Sequence, residues 1–346
     1  SAKAPANPPP LFRRIDWLTF LVTFAAVVIG YYLTLAPELT LEDSGELATG
    51  SYYAGIPHPP GYPFWTLYTW LWTVIVPFKN VAWRVALGEA TGGALAAGLL
   101  GLLVSRGSSL LMEGIEDLKT MAGRWESAIC MVSGFVAGTL IGYNGFMWSQ
   151  SVIVEVYSFG VASFMVVLLC LLRWVYAPHQ RRFLYCALFF HGLCFTNHQT
   201  LIVAAIGIEV TVAMADFRLG RSLFLGNSII YLCGLLLTRR HILTGLEQNS
   251  AVFVIFNVVG VCSILAYLGF VFLTAVRTPQ PARERGLELG RDLLLAACCV
   301  AAAGALGGPA ATLICALAAL ACFLALAWVT RRLGREWLVV LLCGLA

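Results

Sequence analysis

Charged residues are scarce in this chain of 346 residues: only 12% are Asp, Glu, Lys or Arg, while 60% are hydrophobic. An average soluble domain carries about 25% charged residues, so the composition excludes an ordinary water-soluble globular protein. The net charge of +4 is small, and its distribution fits membrane topology better than a nucleic-acid partner. The sequence shows no internal repeat and no segment with the composition of a soluble domain.

Metal-binding and disulfide patterns are also lacking, although the chain contains 11 cysteines. Nearly all of them lie inside apolar segments, and none forms a CxxC pair or a Cys/His ligand cluster. This pattern is typical of small buried hydrophobic side chains rather than of a disulfide framework or a structural metal centre. We therefore predict no cofactor and no metal site. A divalent ion shared by Asp43 and Glu46 is conceivable, but their spacing does not support it.

Long apolar runs dominate the remainder of the chain. Each contains about twenty residues, enough to cross a bilayer core of roughly 30 Å. The sequence therefore predicts an all-α, polytopic membrane protein with about 11 transmembrane helices. We place the spans near residues 17–35, 83–104, 128–147, 153–175, 183–199, 200–215, 222–238, 251–276, 292–305, 311–329 and from 337 onward.

The short aromatic segment 64–78 decides the topology. If it does not cross the membrane, 18 Lys and Arg residues lie on the cytoplasmic side and four lie outside. If it crosses, every later loop changes side and the division becomes seven inside and 15 outside. The positive-inside rule favours the first arrangement. Residues 36–82 then form one extracytoplasmic loop, in which 64–78 is an interfacial helix with Trp65, Tyr68, Trp70 and Trp72 as its aromatic belt.

The first outer loop concentrates ionisable residues between two apolar segments. Asp43 and Glu46 are three residues apart, a spacing that places both carboxylates on one face of a first helical turn. The structural alternative is that Asp43 only caps a helix, with Ser44 or Glu46 completing a capping box. His58 stands in a rigid Pro-rich segment, which either holds it near the carboxylates or simply turns the chain back to the membrane.

Three further outer loops add candidate binding residues. Glu155 lies near the start of an apolar helix, where it faces a cavity or forms a structural ion pair, for example with Arg84. The turn containing Asn197 and His198 has a plain helix-connecting role as its alternative. An outward pair of arginines either binds a lipid phosphate or is a harmless exception to the charge rule. The candidates for substrate binding are His58, Arg84, Gln150, Glu155, Tyr157, Asn197, His198, Arg239 and Arg240.

The stretch from residue 43 to residue 63 resembles the signature of a family of multi-span membrane proteins. This family, long known only as a domain of unknown function, includes an animal ER protein O-mannosyltransferase. Its motifs are D-S-G-E-[LF], a helix of small residues, and [IV]-x-H-P-P-G-x-P. Further likenesses lie at residues 80–85, 148–157, which include Glu155 and Tyr157, and 197–200, so that the resemblance covers about residues 13–215. The matching motif positions are Asp43, Ser44, Gly45, Glu46, His58, Pro59, Pro60, Gly61 and Pro63.

This resemblance implies a fold similar to that of the C-superfamily of glycosyltransferases (GT-C). The donor would be a polyprenyl- or dolichyl-phosphate sugar, and the acceptor a protein or glycan on the extracytoplasmic side. Asp43 would be the base in an inverting transfer, with Glu46 as a second catalytic residue. Arg84 and Arg239 or Arg240 would stabilise the phosphate. The membrane would be the bacterial inner membrane, or the ER membrane in a eukaryotic cell.

Residues 239–346 do not match the family. We therefore predict a disordered tail over 1–12, a transmembrane catalytic module over 13–238, and divergent additional helices over 239–346. Two other functions stay open: a non-catalytic subunit that binds partners in a membrane complex, and a transporter of a lipid-linked anion. A transporter would typically show paired repeats and charged residues at mid-membrane depth, whereas the charges of this chain gather at one side.

Overall fold

A computed structural model of the chain describes residues 10–40, 42–59, 61–118, 123–197, 199–277, 281–305, 314–322 and 325. Every regular element in these ranges is a helix, and none of these residues forms a strand. The predicted all-α class is therefore confirmed. The chain divides into two compact units, residues 1–205 and residues 206–346.

Among its described residues, the first unit contains eight α-helices and two short 3-10 turns, at Glu116–Leu118 and Gln199–Val203. Helix α3 begins with a proline, as a first-turn position allows. The helices are α1 (Arg14–Leu33), α2 (Ser44–Tyr53), α3 (Pro63–Ile75), α4 (Val81–Gly114), α5 (Gly123–Gly142), α6 (Gly145–Ser151), α7 (Tyr157–Tyr176) and α8 (Arg182–Asn197).

The second unit is built from α10 (Phe217–Arg239), α12 (Ser250–Arg277) and α13 (Ala282–Ala305), with α9 (Ala204–Ala215) at its start and the short α11 (Thr244–Gln248) between the longer helices. Helix α10 packs against both α12 and α13. Arg221 of α10 donates to Asp292 at 2.5 Å and to Glu288 at 2.8 Å. Tyr267 of α12 donates to the same Asp292 at 3.1 Å. These charge-assisted bonds connect the three helices.

Six helices of the described chain are long and apolar enough to cross a membrane: α1, α4, α5, α7, α10 and α12. The count of about 11 spans is thus not confirmed. Helix α3 has 13 residues, a length of about 20 Å, and is not among the six. Helix α4 is longer than the predicted span 83–104, because its 34 residues continue to Gly114. Helix α7 begins at Tyr157, four residues later than predicted.

Helix α4 is the centre of the first unit and packs against α1, α5 and α7. Small residues of α4 and glycines of α5 allow this packing. A Cβ atom added at Gly138 of α5 would lie 2.5 Å from the carbonyl oxygen of Ala97 of α4, and one at Gly134 would lie 2.5 Å from that of Gly101. The two backbones approach closely only because these positions carry no side chain.

The N-terminal end of α4 supports the short helices α2 and α3. A cluster of buried apolar side chains fills the space between these helices and the segment before α7. Trp65 of α3 is fully buried in this cluster, so its prediction as a member of an outward aromatic belt is wrong. The members of the cluster are Leu47, Ala48, Trp65, Ala82, Val85, Ala86, Val154, Val156 and Phe159.

Candidate functional site

The N-terminus of α2 presents Asp43 with a free carboxylate. Asp43 occupies the N-cap position, but its side chain makes no capping hydrogen bond, and it is 60% exposed. The alternative that Asp43 merely caps the helix is therefore wrong. The buried Ser44 holds this end of α2 instead: its hydroxyl lies 2.7 Å from that of Thr40 and donates to the carbonyl of Val154 at 3.3 Å. This bond ties the N-terminus of α2 to the segment before α7.

Glu46 and His58 form a hydrogen-bonded pair next to Asp43. The backbone N–H of His58 donates to one Glu46 oxygen at 2.6 Å, and Nδ1 of its ring lies 3.1 Å from the other. These two bonds lower the pKa of Glu46 below its usual value. A proton on Nδ1 leaves Nε2 as an acceptor. That atom lies 3.2 Å from the Tyr62 hydroxyl and 4.0 Å from Oδ2 of Asp43.

Tyr62 stands at the centre of the polar groups, and the backbone is bent to place it there. Gly61 has φ +89° and Tyr62 has φ +43°, so two consecutive residues adopt left-handed conformations. Such a conformation is costly for a tyrosine and is frequent at functional sites. Burial is the largest cause that raises the pKa of Tyr62, and the negative charges around it raise it further. These neighbours are, in decreasing order of effect, Tyr157, Asp43, Glu155 and Glu46.

Glu155 lies in the segment before α7 and is only 5% exposed. The carboxyl group of the exposed Glu42 is its acidic neighbour, and two like charges at this separation favour a proton on one of them. Burial, and then the interaction with Glu42, raises the pKa of Glu155 to about 7. Glu42 itself has φ +64°, another left-handed residue at the site. The predicted alternative of an ion pair between Glu155 and Arg84 is wrong.

Two of the predicted binding residues hold the ends of α3. The guanidinium of Arg84 donates to the backbone carbonyls of Thr73, Phe78 and Lys79 at 2.9 to 3.1 Å. At the other end, the Asn197 side chain accepts a hydrogen bond from the backbone N–H of Trp65 at 3.1 Å. Both contacts satisfy backbone groups that a helix terminus leaves open. A further role of either residue in substrate binding stays a prediction.

The remaining predicted residues are placed as follows. Gln150 lies in α6, and its amide oxygen is buried without a hydrogen-bond partner in the part of the chain that the structure describes. Tyr157 begins α7 and contributes to the field around Tyr62. Arg239 and Arg240 end helix α10 in the second unit, where Arg240 donates to the carbonyl of Gly304 at 3.0 Å. His198 lies outside the described residues.

One set of side chains within the described ranges could bind a metal ion: Asp43, Glu46 and His58, whose ligand atoms lie within 4.8 Å of one another. Two carboxylate oxygens and an imidazole nitrogen suit a divalent cation. In the present geometry Glu46 already accepts two hydrogen bonds from His58, so these two groups satisfy each other without an ion, while Asp43 lies 4.0 Å from the ring. The sequence did not predict this set, because His58 is twelve residues from Glu46.

Two residues of the site were not predicted. Tyr62 occupies a variable position of the H-P-P-G-x-P motif, so the motif gave no reason to select it. Glu89 is fully buried in α4, where one of its oxygens accepts a hydrogen bond from the Trp65 indole at 2.6 Å. The sequence contained an indication of Glu89, because an acidic residue within an apolar span is rare and usually functional.

Comparisons with known proteins agree with the location of this site. A family model described as the protein O-mannosyl-transferase TMEM260 N-terminal domain matches residues 43–219, about half of the chain. The mouse protein O-mannosyl-transferase TMEM260 is 37% identical over 113 residues, which are 31% of this chain and 16% of that protein. A Dictyostelium discoideum protein of the same description is 27% identical over 89 residues, 25% of this chain and 11% of that protein. The chain thus spans less than a fifth of these relatives. No solved structure matches it.

Proposed function

This chain belongs to the protein O-mannosyl-transferase TMEM260 N-terminal domain family, and we propose that it is an integral-membrane glycosyltransferase. It moves a mannose-like sugar from a polyprenyl- or dolichyl-phosphate donor to a hydroxyl group of an extracytoplasmic acceptor, a protein Ser or Thr. The observation that carries the proposal is the free carboxylate of Asp43, which performs no capping role and stands beside the Glu46–His58 pair.

In the proposed reaction Asp43 acts as general base. Its carboxylate takes the proton of the acceptor hydroxyl while the oxygen of that hydroxyl attacks the anomeric carbon of the sugar. The bond between this carbon and the phosphate oxygen breaks, the lipid phosphate leaves with the bonding electrons, and the configuration at the anomeric carbon inverts. A carboxylate in reach of the hydroxyl is a suitable base. Glu46 and His58 hold the base in position and set the charge next to it.

The membrane arrangement is part of the same proposal. We propose a GT-C-like fold with about 11 spans, in which loop 36–82 and its interfacial helices face the extracytoplasmic side. Residues 13–238 then form the catalytic module, and residues 239–346 add helices. Arg239, Arg240, Gln150 and His198 remain candidates for contacts with the donor phosphate or the acceptor. Two arginines are well suited to phosphate, because the guanidinium offers paired donors.

The test is sugar transfer by the full chain, purified and placed in nanodiscs, from a panel of polyprenyl-phosphate sugars to Ser/Thr peptides. Asp43→Asn keeps the shape of the side chain and removes the base. Transfer should fall by about 10²- to 10⁴-fold, the usual contribution of general base catalysis. Glu38→Gln is the matched control, because Glu38 is an exposed acid of the same outer loop, and this variant should transfer as wild type does.

Three outcomes separate the alternatives. Loss of transfer in Asp43→Asn alone supports Asp43 as the base. Equal transfer by this variant and the wild type would remove Asp43 from that role. No transfer by folded wild-type protein with any donor of the panel would overturn the proposal and favour a non-catalytic subunit of a membrane complex.

A further inference from the structure

Glu89 is a buried acid that the proposed reaction does not use. It lies eight residues inside α4, about 12 Å from the start of that helix, and its side chain is not exposed at all. None of the ion pairs that the described residues form involves it. A carboxyl group in such surroundings costs several kcal/mol unless it is hydrogen-bonded. Its retention therefore calls for bonds that compensate this cost.

The bonds to Glu89 come from two different segments of the chain. One oxygen accepts a hydrogen bond from the Trp65 indole N–H at 2.6 Å. The other accepts a short hydrogen bond from the hydroxyl of Ser158, and the backbone N–H of Phe159 also donates to the carboxyl group. Trp65 and Ser158 are themselves fully buried. The carboxyl group of α4 thus connects the first turn of α3 to the first turn of α7.

These two segments are the ones that carry the candidate site. Trp65 follows Tyr62 by three residues, and the two rings are 6.5 Å apart. Ser158 follows Glu155 by three residues. The distance between the His58–Tyr62 group and the Glu155 group is therefore set through Trp65, Glu89 and Ser158.

We propose that Glu89 is a positioning residue, which fixes the relative placement of the His58–Tyr62 segment and the Glu155–Tyr157 segment around Asp43. The effect of Glu89 on sugar transfer rests on the glycosyltransferase function proposed above. Its effect on the placement of the two segments does not depend on that function. The Trp65 indole can only donate, and Ser158 donates its hydroxyl hydrogen in the observed geometry, so both ends of the Glu89 carboxyl group act as acceptors, which an amide cannot reproduce.

The test uses Glu89→Gln and Glu89→Ala in the full chain. The glutamine oxygen can still accept from Trp65, but its NH₂ group cannot accept the bond that Ser158 donates, so the Ser158 hydroxyl has to turn and accept instead. We expect kcat to fall roughly tenfold in Glu89→Gln and about 10²-fold in Glu89→Ala, the loss typical of reacting groups misplaced by about 1 Å. KM for the donor should stay within about twofold, because a positioning defect acts on the reaction step.

Glu209→Gln is the matched control. Glu209 is an acid of the apolar helix α9, where it accepts a hydrogen bond from Asn227 at 2.8 Å, and it has no part in the site. The control should keep the kcat of the wild type. If both Glu→Gln variants lose activity equally, the loss reflects general damage to the membrane protein, and the positioning role is rejected.

Two readouts do not depend on activity. The ¹⁵N–¹H resonance of the Trp65 indole, assigned with Trp65→Phe, should move in both Glu89 variants. Hydrogen exchange of peptides covering residues 57–66 and 154–159 should speed up at least about tenfold, as local opening becomes easier, while peptides from α1 and α5 keep their rates. Unchanged exchange in the two segments, or faster exchange throughout the unit, would overturn the proposal. If the wild type transfers no sugar, the proposed function fails, but these readouts still decide the role of Glu89.

Discussion

At the scale of single side chains, the candidate site depends on how Glu46 holds the His58 ring. The carboxylate accepts from both the backbone N–H and the ring of His58, which keeps the ring proton on Nδ1 and a lone pair on Nε2. In Glu46→Gln the amide NH₂ would face Nδ1 and donate to it. The ring proton would then move to Nε2, toward Tyr62 and Asp43.

We therefore predict that Glu46→Gln lowers kcat for sugar transfer by roughly 10²-fold, the lower range for groups in an acid–base site. The ¹⁵N resonances of the His58 ring should show the change from the Nδ1–H to the Nε2–H tautomer. Glu38→Gln is again the control for loss of an exposed carboxylate. Wild-type kcat in a variant whose tautomer has changed would mean that the orientation of His58 is irrelevant to catalysis.

The pair of Glu42 and Glu155 predicts a pH-dependent stability. The pKa of Glu155 is raised from 4.5 to about 7, so between these pH values the folded protein holds a proton that the unfolded chain releases. The stabilisation by the protonated pair is complete below about pH 4.5 and is lost as the pH rises toward 7. We expect the Tm of wild type to fall between pH 5 and pH 7.5 by a few degrees more than the Tm of Glu155→Gln.

This comparison cancels the titration of all other groups, because only the Glu155 carboxyl differs between the two proteins. Thermal unfolding in one detergent over that pH range provides the measurement. Parallel Tm curves for the two proteins would show that Glu155 holds no additional proton in the folded state.

At the scale of elements, α3 is held at its N-terminus by a residue from the distant end of α8. Asn197 is completely buried and accepts from the backbone N–H of Trp65, whereas Asn144 caps α6 from an exposed position. Removing an acceptor from a buried donor costs about 1–3 kcal/mol. We predict that Asn197→Ala destabilises the protein by this amount, and that Asn144→Ala costs about 1 kcal/mol or less.

Chemical or thermal unfolding of both variants in the same detergent checks this prediction. Asn197→Ala should also slow sugar transfer, because the first turn of α3 carries Trp65 and follows Tyr62 directly. Equal loss of stability in the two variants would mean that burial of the Asn197 side chain does not increase its contribution to the free energy of unfolding.

Much of the helical architecture was predictable, because the long apolar runs are unambiguous. Helices α1, α10 and α12 begin and end within a few residues of the predicted spans, except that α10 starts five residues earlier. The misplaced boundaries have a local cause. Helix α4 continues to Gly114 beyond its apolar part, and the segment before Tyr157 is apolar but is bent to bury Glu155. Hydropathy indicates whether a segment is surrounded by lipid or by water, but it does not indicate where a helix begins, ends or bends.

The site was predicted only where its residues lie close together in the sequence. A single motif contains Asp43, Glu46 and His58, and the structure brings these three together. The pairing of Glu42 with Glu155 and the bond of Trp65 to Glu89 join residues far apart in the chain. No periodicity or spacing encodes such contacts, which arise only when the helices pack. The same holds for Arg84 and Asn197, whose polar atoms the packing directs to helix ends.

At the scale of the whole molecule, the boundary of the family likeness lies close to the boundary between the two compact units. The motif resemblance covers about residues 13–215, the family model matches residues 43–219, and the first compact unit is residues 1–205. All the residues that meet around Tyr62 lie inside this common stretch. The proposed reaction chemistry is therefore expected to reside in the first unit, and the additional helices are expected to differ more widely among relatives.

The proposed topology can be tested at segment 64–78, because whether this segment crosses the membrane determines the side on which every later loop lies. If this segment lies along the outer surface, the end of α4 at Gly114 is cytoplasmic, whereas a crossing segment would place it outside. Ile56 is 90% exposed and outside in both arrangements. In intact, right-side-out membranes we expect an impermeant maleimide to label Ile56→Cys but not Gly114→Cys, with wild type as the background for native cysteines. We also expect Gly114→Cys to be labelled once the membranes are permeabilised. Labelling of Gly114→Cys in intact membranes would contradict the proposed topology and would mean that every helix after α3 has the opposite orientation.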